Sequence, residues 1–149
     1  MHTMPFESHW IETQDHQQLF AKTWGNPQHP ALVLVHGYPD NQEVWEPIIA
    51  HLIEHFYIVT YDVRGAGQSS ITKKIKAYAL PQLSLDLESV VNQLLPDQPF
   101  HIAAHDWGSI QTWESVTESK FKDRIRSYTT ISGPCLDHAA FWMRNQFKH

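Results

Sequence analysis

A chain of 149 residues is one domain's worth of sequence. With 42% hydrophobic and 18% charged residues, and with seven Phe, six Trp and five Tyr, it can fill a core, which excludes a disordered chain. Eleven Lys and Arg against sixteen Asp and Glu leave a formal charge of −5, which points away from nucleic acid and from an anionic membrane surface as partners.

In chain order, Ser8 to Ile11 and Gln18 to Trp24 read as two short strands around a polar turn at Asp15-His16, a hairpin. Gly25-Asn26-Pro27 ends the second strand. Ala31 to Val35 is a continuous apolar run, the mark of a strand buried on both faces. After the loop His36 to Asn41, the residues Val44, Trp45, Ile48, Ile49, Leu52 and Ile53 recur on one helical stripe, with Pro47 tolerable only in the first turn. Phe56 to Tyr61 is the next strand, and Arg64 to Ser70 is Gly-rich and must turn. Leu83, Leu87, Val90, Val91 and Leu94 form a second helical stripe closed by Pro96. Phe100 to Ala104 predicts a strand, and Ile110, Trp113 and Val116 predict a helix beginning near Ser109. Arg126 to Ser132 predicts a last strand, ended by Gly133-Pro134. Lys73, Lys74 and Lys76 make the only basic run, read as a solvated loop. A lone cysteine, Cys135, rules out an internal disulfide. No basic and apolar leader opens the chain, and no apolar run approaches the ~20 residues that span a bilayer. The expected location is cytoplasmic.

Alternating strands and helices, with apolar strands, imply a mostly parallel sheet covered on both faces. Such sheets place chemistry at the carboxyl ends of their strands. The loops that matter therefore begin at His36, Asp62, His105 and Gly133.

In Ala104-His105-Asp106-Trp107-Gly108 the outer residues are small, as a strand turning straight into a helix requires. The central side chain is then held exposed on a tight turn, the nucleophile-elbow pattern with Asp at its centre. A carboxylate attacks an alkyl carbon competently and forms an ester, but it is a poor nucleophile toward amides. The alternative is that Asp106 only caps the helix that follows. His36-Gly37-Tyr38-Pro39, on the loop after the neighbouring buried strand, favours the first reading. There the backbone N–H of Tyr38, with that of Trp107, would face a developing oxyanion. His36 and His105 read as loop-bracing histidines. Asp62-Val63-Arg64-Gly65-Ala66-Gly67-Gln68-Ser69 reads as structural, with Arg64 pairing locally. His101, His105 and Asp106 make a poor metal cluster, because the strand and turn separate them; no metal and no cofactor are expected.

The order His-Gly-Tyr-Pro, then Asp-Val-Arg-Gly-x-Gly-x-Ser, then His-Asp-Trp-Gly resembles the epoxide-hydrolase and haloalkane-dehalogenase branch of the α/β-hydrolases. The strings YDVRGAGQSS, AHDWGSIQTWE and ISGPCLDH are most similar to the hydrolase half of bacterial proteins fused to a short-chain dehydrogenase. This resemblance implies an α/β-hydrolase fold, one domain over 1–149, and a small-molecule substrate contacted by His36, Gly37, Tyr38, Pro39, His105 and Trp107. Tyr38, where dehalogenases place a halide-binding Asn, favours epoxides. Asp137 stands where some dehalogenases keep the acid that orients their base. Ala104 and Ser109 depart from the family's glycines. The resemblance further implies that the base His, the lid with its acid Tyr pair and the last strands follow position 149. The chain then reads as the truncated N-terminal part of an enzyme, inactive alone, with Phe141 and Trp142 beginning the packing for the lid. A non-catalytic binding module, or one half of a protein whose main activity is a fused dehydrogenase, are the alternatives.

Overall fold

A computed structural model describes residues 4–146; residues 1–3 and 147–149 of the expected domain lie outside the described residues. Six strands form one sheet in the order β1-β2-β4-β3-β5-β6. They are β1 (Phe6–Glu12), β2 (Gln18–Trp24), β3 (Ala31–Val35), β4 (Tyr57–Tyr61), β5 (Phe100–His105) and β6 (Ile125–Ile131). The first two make the expected hairpin, and β2 joins β4 antiparallel. The β4, β3, β5 and β6 strands all pair in parallel.

Alternation within β3 sends its side chains into two separate cores. Ala31, Val33 and Val35 pack with Leu87, Val90, Val91 and Phe100, on the face covered by α2 (Leu80–Leu94) and α3 (Trp107–Thr117). Leu32 and Leu34 pack with Trp24, Trp45, Ile49 and Ile58, on the face covered by α1 (Glu46–Leu52). Full burial of one such aliphatic side chain stabilises by about 1.5–3 kcal/mol. The stripe from Val44 to Ile53 is split: Gln42–Trp45 is a tighter 3₁₀ turn, and Pro47 sits in the first turn of α1, where a missing N–H costs nothing. The third helix starts at Trp107, two residues earlier than its apolar spacing predicts, because the strand turns into it directly.

Strand β5 alternates between buried Phe100, Ile102 and Ala104 and half-buried His101, Ala103 and His105. Edge strand β6 is mostly exposed. A fourth helix, α4 (Leu136–Gln146), buries none of its described residues and leaves Phe141 and Trp142 65% and 63% exposed. The apolar periodicity after Pro134 is too weak to have signalled this helix.

The chain visits β3, then β4 on one side, then β5 on the other. The strand order thus reverses beside β3, and loops leaving β3 and β5 diverge to frame a crevice at the carboxyl end.

Candidate active site at the β3–β5 switch point

Asp106 follows β5 with φ 55° and ψ −125°, a sparsely populated backbone region for a residue with a side chain. Its carbonyl accepts from Ile110 N at 3.1 Å, and its N–H donates to Ile131 O at 2.9 Å. The backbone is therefore held by both α3 and β6. The side chain makes no capping hydrogen bond to α3. It turns instead across the crevice, where Oδ2 accepts from Tyr38 N at 3.3 Å. The helix-cap reading fails at this point.

Two glycines permit the approach. A methyl group at Gly37 would lie 2.7 Å from both Cβ and Oδ2 of Asp106. One at Gly108 would collide with the carbonyl oxygens of Val35 and His36, so α3 leaves the elbow pressed against the end of β3. Ala104 is fully buried, which explains why this flank must also be small. Ser109, in place of a glycine, is buried and binds beneath the elbow. Its Oγ donates to Ala104 O at 2.6 Å and accepts from Ile131 N at 3.1 Å.

Tyr38 and Trp107 line one cleft of about 500 Å³ with His36, Gly37, Pro39, Tyr78 and Gln111; Asp106 is not among its lining residues and meets it through the Tyr38 amide. Trp107 contributes the first amide of α3, which helix geometry leaves without a partner within the helix. The Tyr38–Pro39 peptide is cis. Gln111 lies one turn after Trp107, so helical spacing from the elbow would have found it. Nothing in the sequence pointed to Tyr78. A second cleft of about 460 Å³, lined by Phe6, Gly25 and Tyr57, opens at the amino end of β4, away from every strand end that carries candidate chemistry.

His36 is fully buried and braces two loops: Nδ1 donates to Gly37 O at 2.9 Å, and Nε2 accepts from Val63 N at 2.9 Å. Burial holds its pKa below the usual histidine value, so the ring is neutral with the proton on Nδ1. His105 faces a different hollow, with Val44, Trp45, Ile48 and Ile131. It is not brought to the cleft that Tyr38 and Trp107 share. Asp137, exposed in the first turn of α4, lines a small cleft with Ile110, Trp113 and Cys135 that includes neither Asp106 nor Tyr38.

Arg64 corrects the expectation of a local partner. Its guanidinium is fully buried and forks onto Asp86 of α2, at 2.8 and 2.7 Å, and onto Asp15 of the hairpin turn, at 2.6 and 2.8 Å. Asp15 is held well below the usual carboxylate range, chiefly by that guanidinium. Nothing in sequence spacing marks partners 49 and 22 residues away.

Among the described residues no group of three or more His, Cys, Asp or Glu is arranged to hold a metal ion. No helix among them is long and apolar enough to cross a membrane.

A family model described as alpha/beta hydrolase fold matches residues 30–148. The chain belongs to the α/β-hydrolase family. Its relatives place this α/β-hydrolase among epoxide hydrolase-like proteins. It is 40% identical over 131 residues to "Probable oxidoreductase EphD" of Mycobacterium tuberculosis, a match covering 88% of this chain and 22% of that protein. It is 28% identical over 116 residues to "Epoxide hydrolase A" of the same species, covering 77% of this chain and 35% of that one. A mutant epoxide hydrolase of Vigna radiata superimposes with a TM-score of 0.79 at 27% identity, over 88% of this chain and 40% of that structure. The α/β-hydrolase thus spans between about a fifth and two fifths of the length of these three proteins.

Proposed function

We propose that this chain carries the nucleophile side of an epoxide-hydrolase site, with Asp106 as nucleophile. A carboxylate oxygen of Asp106 attacks an epoxide carbon and the C–O bond of the ring breaks. The resulting alkoxide takes a proton, leaving an alkyl ester on Asp106. Water then adds to the ester carbonyl, and the tetrahedral oxyanion is stabilised by the backbone N–H groups of Tyr38 and Trp107. Loss of one such donor costs about 2.7–4 kcal/mol in comparable sites. Collapse releases a diol and restores the carboxylate.

One observation carries this reading. The Asp106 carboxylate ignores the helix it precedes and meets the Tyr38 amide at 3.3 Å from a strained backbone. Substrate contacts from His36, Gly37, Tyr38, Pro39 and Trp107 fit one cleft, with the His36 side chain also bracing its loops; His105 lies in a different hollow. Tyr38 in place of an amide side chain favours epoxides over alkyl halides. Asp137 as the orienting acid draws no support from its separate cleft.

The second step needs a base, and no hydrogen bond joins any described histidine to Asp106. The ester is therefore expected to accumulate on this chain. Intact-protein mass spectrometry after treatment with a reactive epoxide should show one adduct, absent from Asp106→Asn, and none with the matching chloroalkane. Equal adduct on the Asn variant would return Asp106 to a purely structural role. A second reading, as one half of a protein with a fused dehydrogenase, is favoured by the relatives named probable oxidoreductase, most of whose length lies outside the match.

A further inference from the structure

The total charge of −5 conceals an uneven distribution. Between Asp62 and Asp86 there is no acidic residue, and Lys73, Lys74 and Lys76 all fall in this interval. All three are exposed, and none makes an ion pair among the described residues. They alternate with Ile71 and Ile75, which are 76% and 89% exposed; with Tyr38 at 78%, these are the most exposed large hydrophobic residues described. Tyr78 joins this segment to the candidate cleft. Its ring lines the cleft, while its hydroxyl accepts from Thr72 N and donates to Thr72 O, each at 3.0 Å. The apolar tip, its cations and the rim of the cleft thus form one tied unit.

We propose that residues 71–78 dock this protein on an anionic lipid bilayer, the lysines over the headgroups and Ile71 and Ile75 inserted among the acyl chains. Charge complementarity names the partner. Three lysines with no acidic neighbour in 23 residues attract a negative surface. The isoleucines decide between a bilayer and an acidic polypeptide. Neither lines any of the larger clefts, so they offer no groove to a peptide, whereas a protruding apolar tip enters a fluid interface. Neither signal suffices alone, since stable peripheral anchoring takes two. This goes beyond the reading of Asp106 and does not depend on it. It also revises the conclusion drawn from net charge, which averages over the surface a membrane would meet.

The test is co-sedimentation of the 149-residue chain with vesicles, either pure phosphatidylcholine or containing about 30 mol % phosphatidylserine. Binding is expected only with phosphatidylserine, with release near 1 M salt, where the screening length is about 3 Å. Each Lys→Gln change at positions 73, 74 and 76 should weaken it about fivefold, and Ile71→Ser with Ile75→Ser should weaken it more. These side chains are exposed, so the variants should melt like the parent. No binding to phosphatidylserine vesicles, equal binding to both vesicle types, or binding untouched by the isoleucine changes would each overturn the proposal. Tighter capture by polyglutamate than by vesicles would overturn it in favour of an acidic polypeptide.

Discussion

Asp62 and Asp106 follow the two strands that flank β3, one at the end of β4 and the other at the end of β5, and they are held in opposite ways. The Asp62 carboxylate is buried and receives Gln42 N and Gln68 N, each at 2.9 Å. Asp106 is half-buried, sits on a strained backbone and receives one amide at 3.3 Å. A carboxylate whose lone pairs are already occupied fastens loops together; one left short of donors keeps lone pairs for a substrate. The same contrast separates buried Arg64, forked onto two carboxylates, from the cleft beside it. Strand-end position alone marked both loops for inspection; the sequence reads the Asp62 loop as structural, and its hydrogen-bond saturation fits that reading.

The contrast breaks most visibly at Arg64. Arg64→Met would strand Asp86, 2% exposed, as an unpaired buried charge, and should destabilise by about 3–5 kcal/mol in urea unfolding. A loss under about 1 kcal/mol would mean that this network is solvated. Asp62→Asn should cost about 1–3 kcal/mol, because one of the two backbone donors would then face an amide N–H.

The pH dependence follows from His36. Its folded pKa lies below the usual value, so on acidification the unfolded chain takes the proton first. Stability is therefore full above about pH 6.5 and declines as the pH falls below it, by at most about 1.4 kcal/mol per pH unit for one proton. Urea midpoints at about pH 7.5 and about pH 5.5 would measure this slope, and replacing His36 should flatten it. The smallest effect is expected at Asp106. Asp106→Asn should change stability by less than about 1 kcal/mol, since it removes one long contact and keeps the size and branching of the side chain. A loss as large as that of Asp62→Asn would erase the distinction between the two carboxylates.

The architecture was legible because its signals are local. Continuous apolar runs marked β3 and β4, helical stripes marked α1 and α2, and the small residues around Asp106 marked the turn into α3. The Tyr38 amide was legible as a candidate because strand-end loops flanking a switch point face each other. What remained hidden is long-range or aperiodic. The partners of Arg64 come from a hairpin turn and a helix far along the chain. Tyr78 reaches the cleft from a short 3₁₀ turn with no periodicity, and His105 turns toward α1 because side chains alternate along β5. Whether Asp106 caps its helix was undecidable from residue type, since Asp suits both roles, and its side-chain direction decided it.

The central claim is that Asp106, and not its saturated counterpart, is chemically available. Exposure of the native chain to excess small epoxide, followed by peptide mapping, measures this directly. The account expects an alkyl ester on the peptide carrying Asp106 and none on the peptide carrying Asp62. Equal labelling of the two, or labelling of Asp106 no faster than that of an exposed carboxylate such as Asp123, would contradict it.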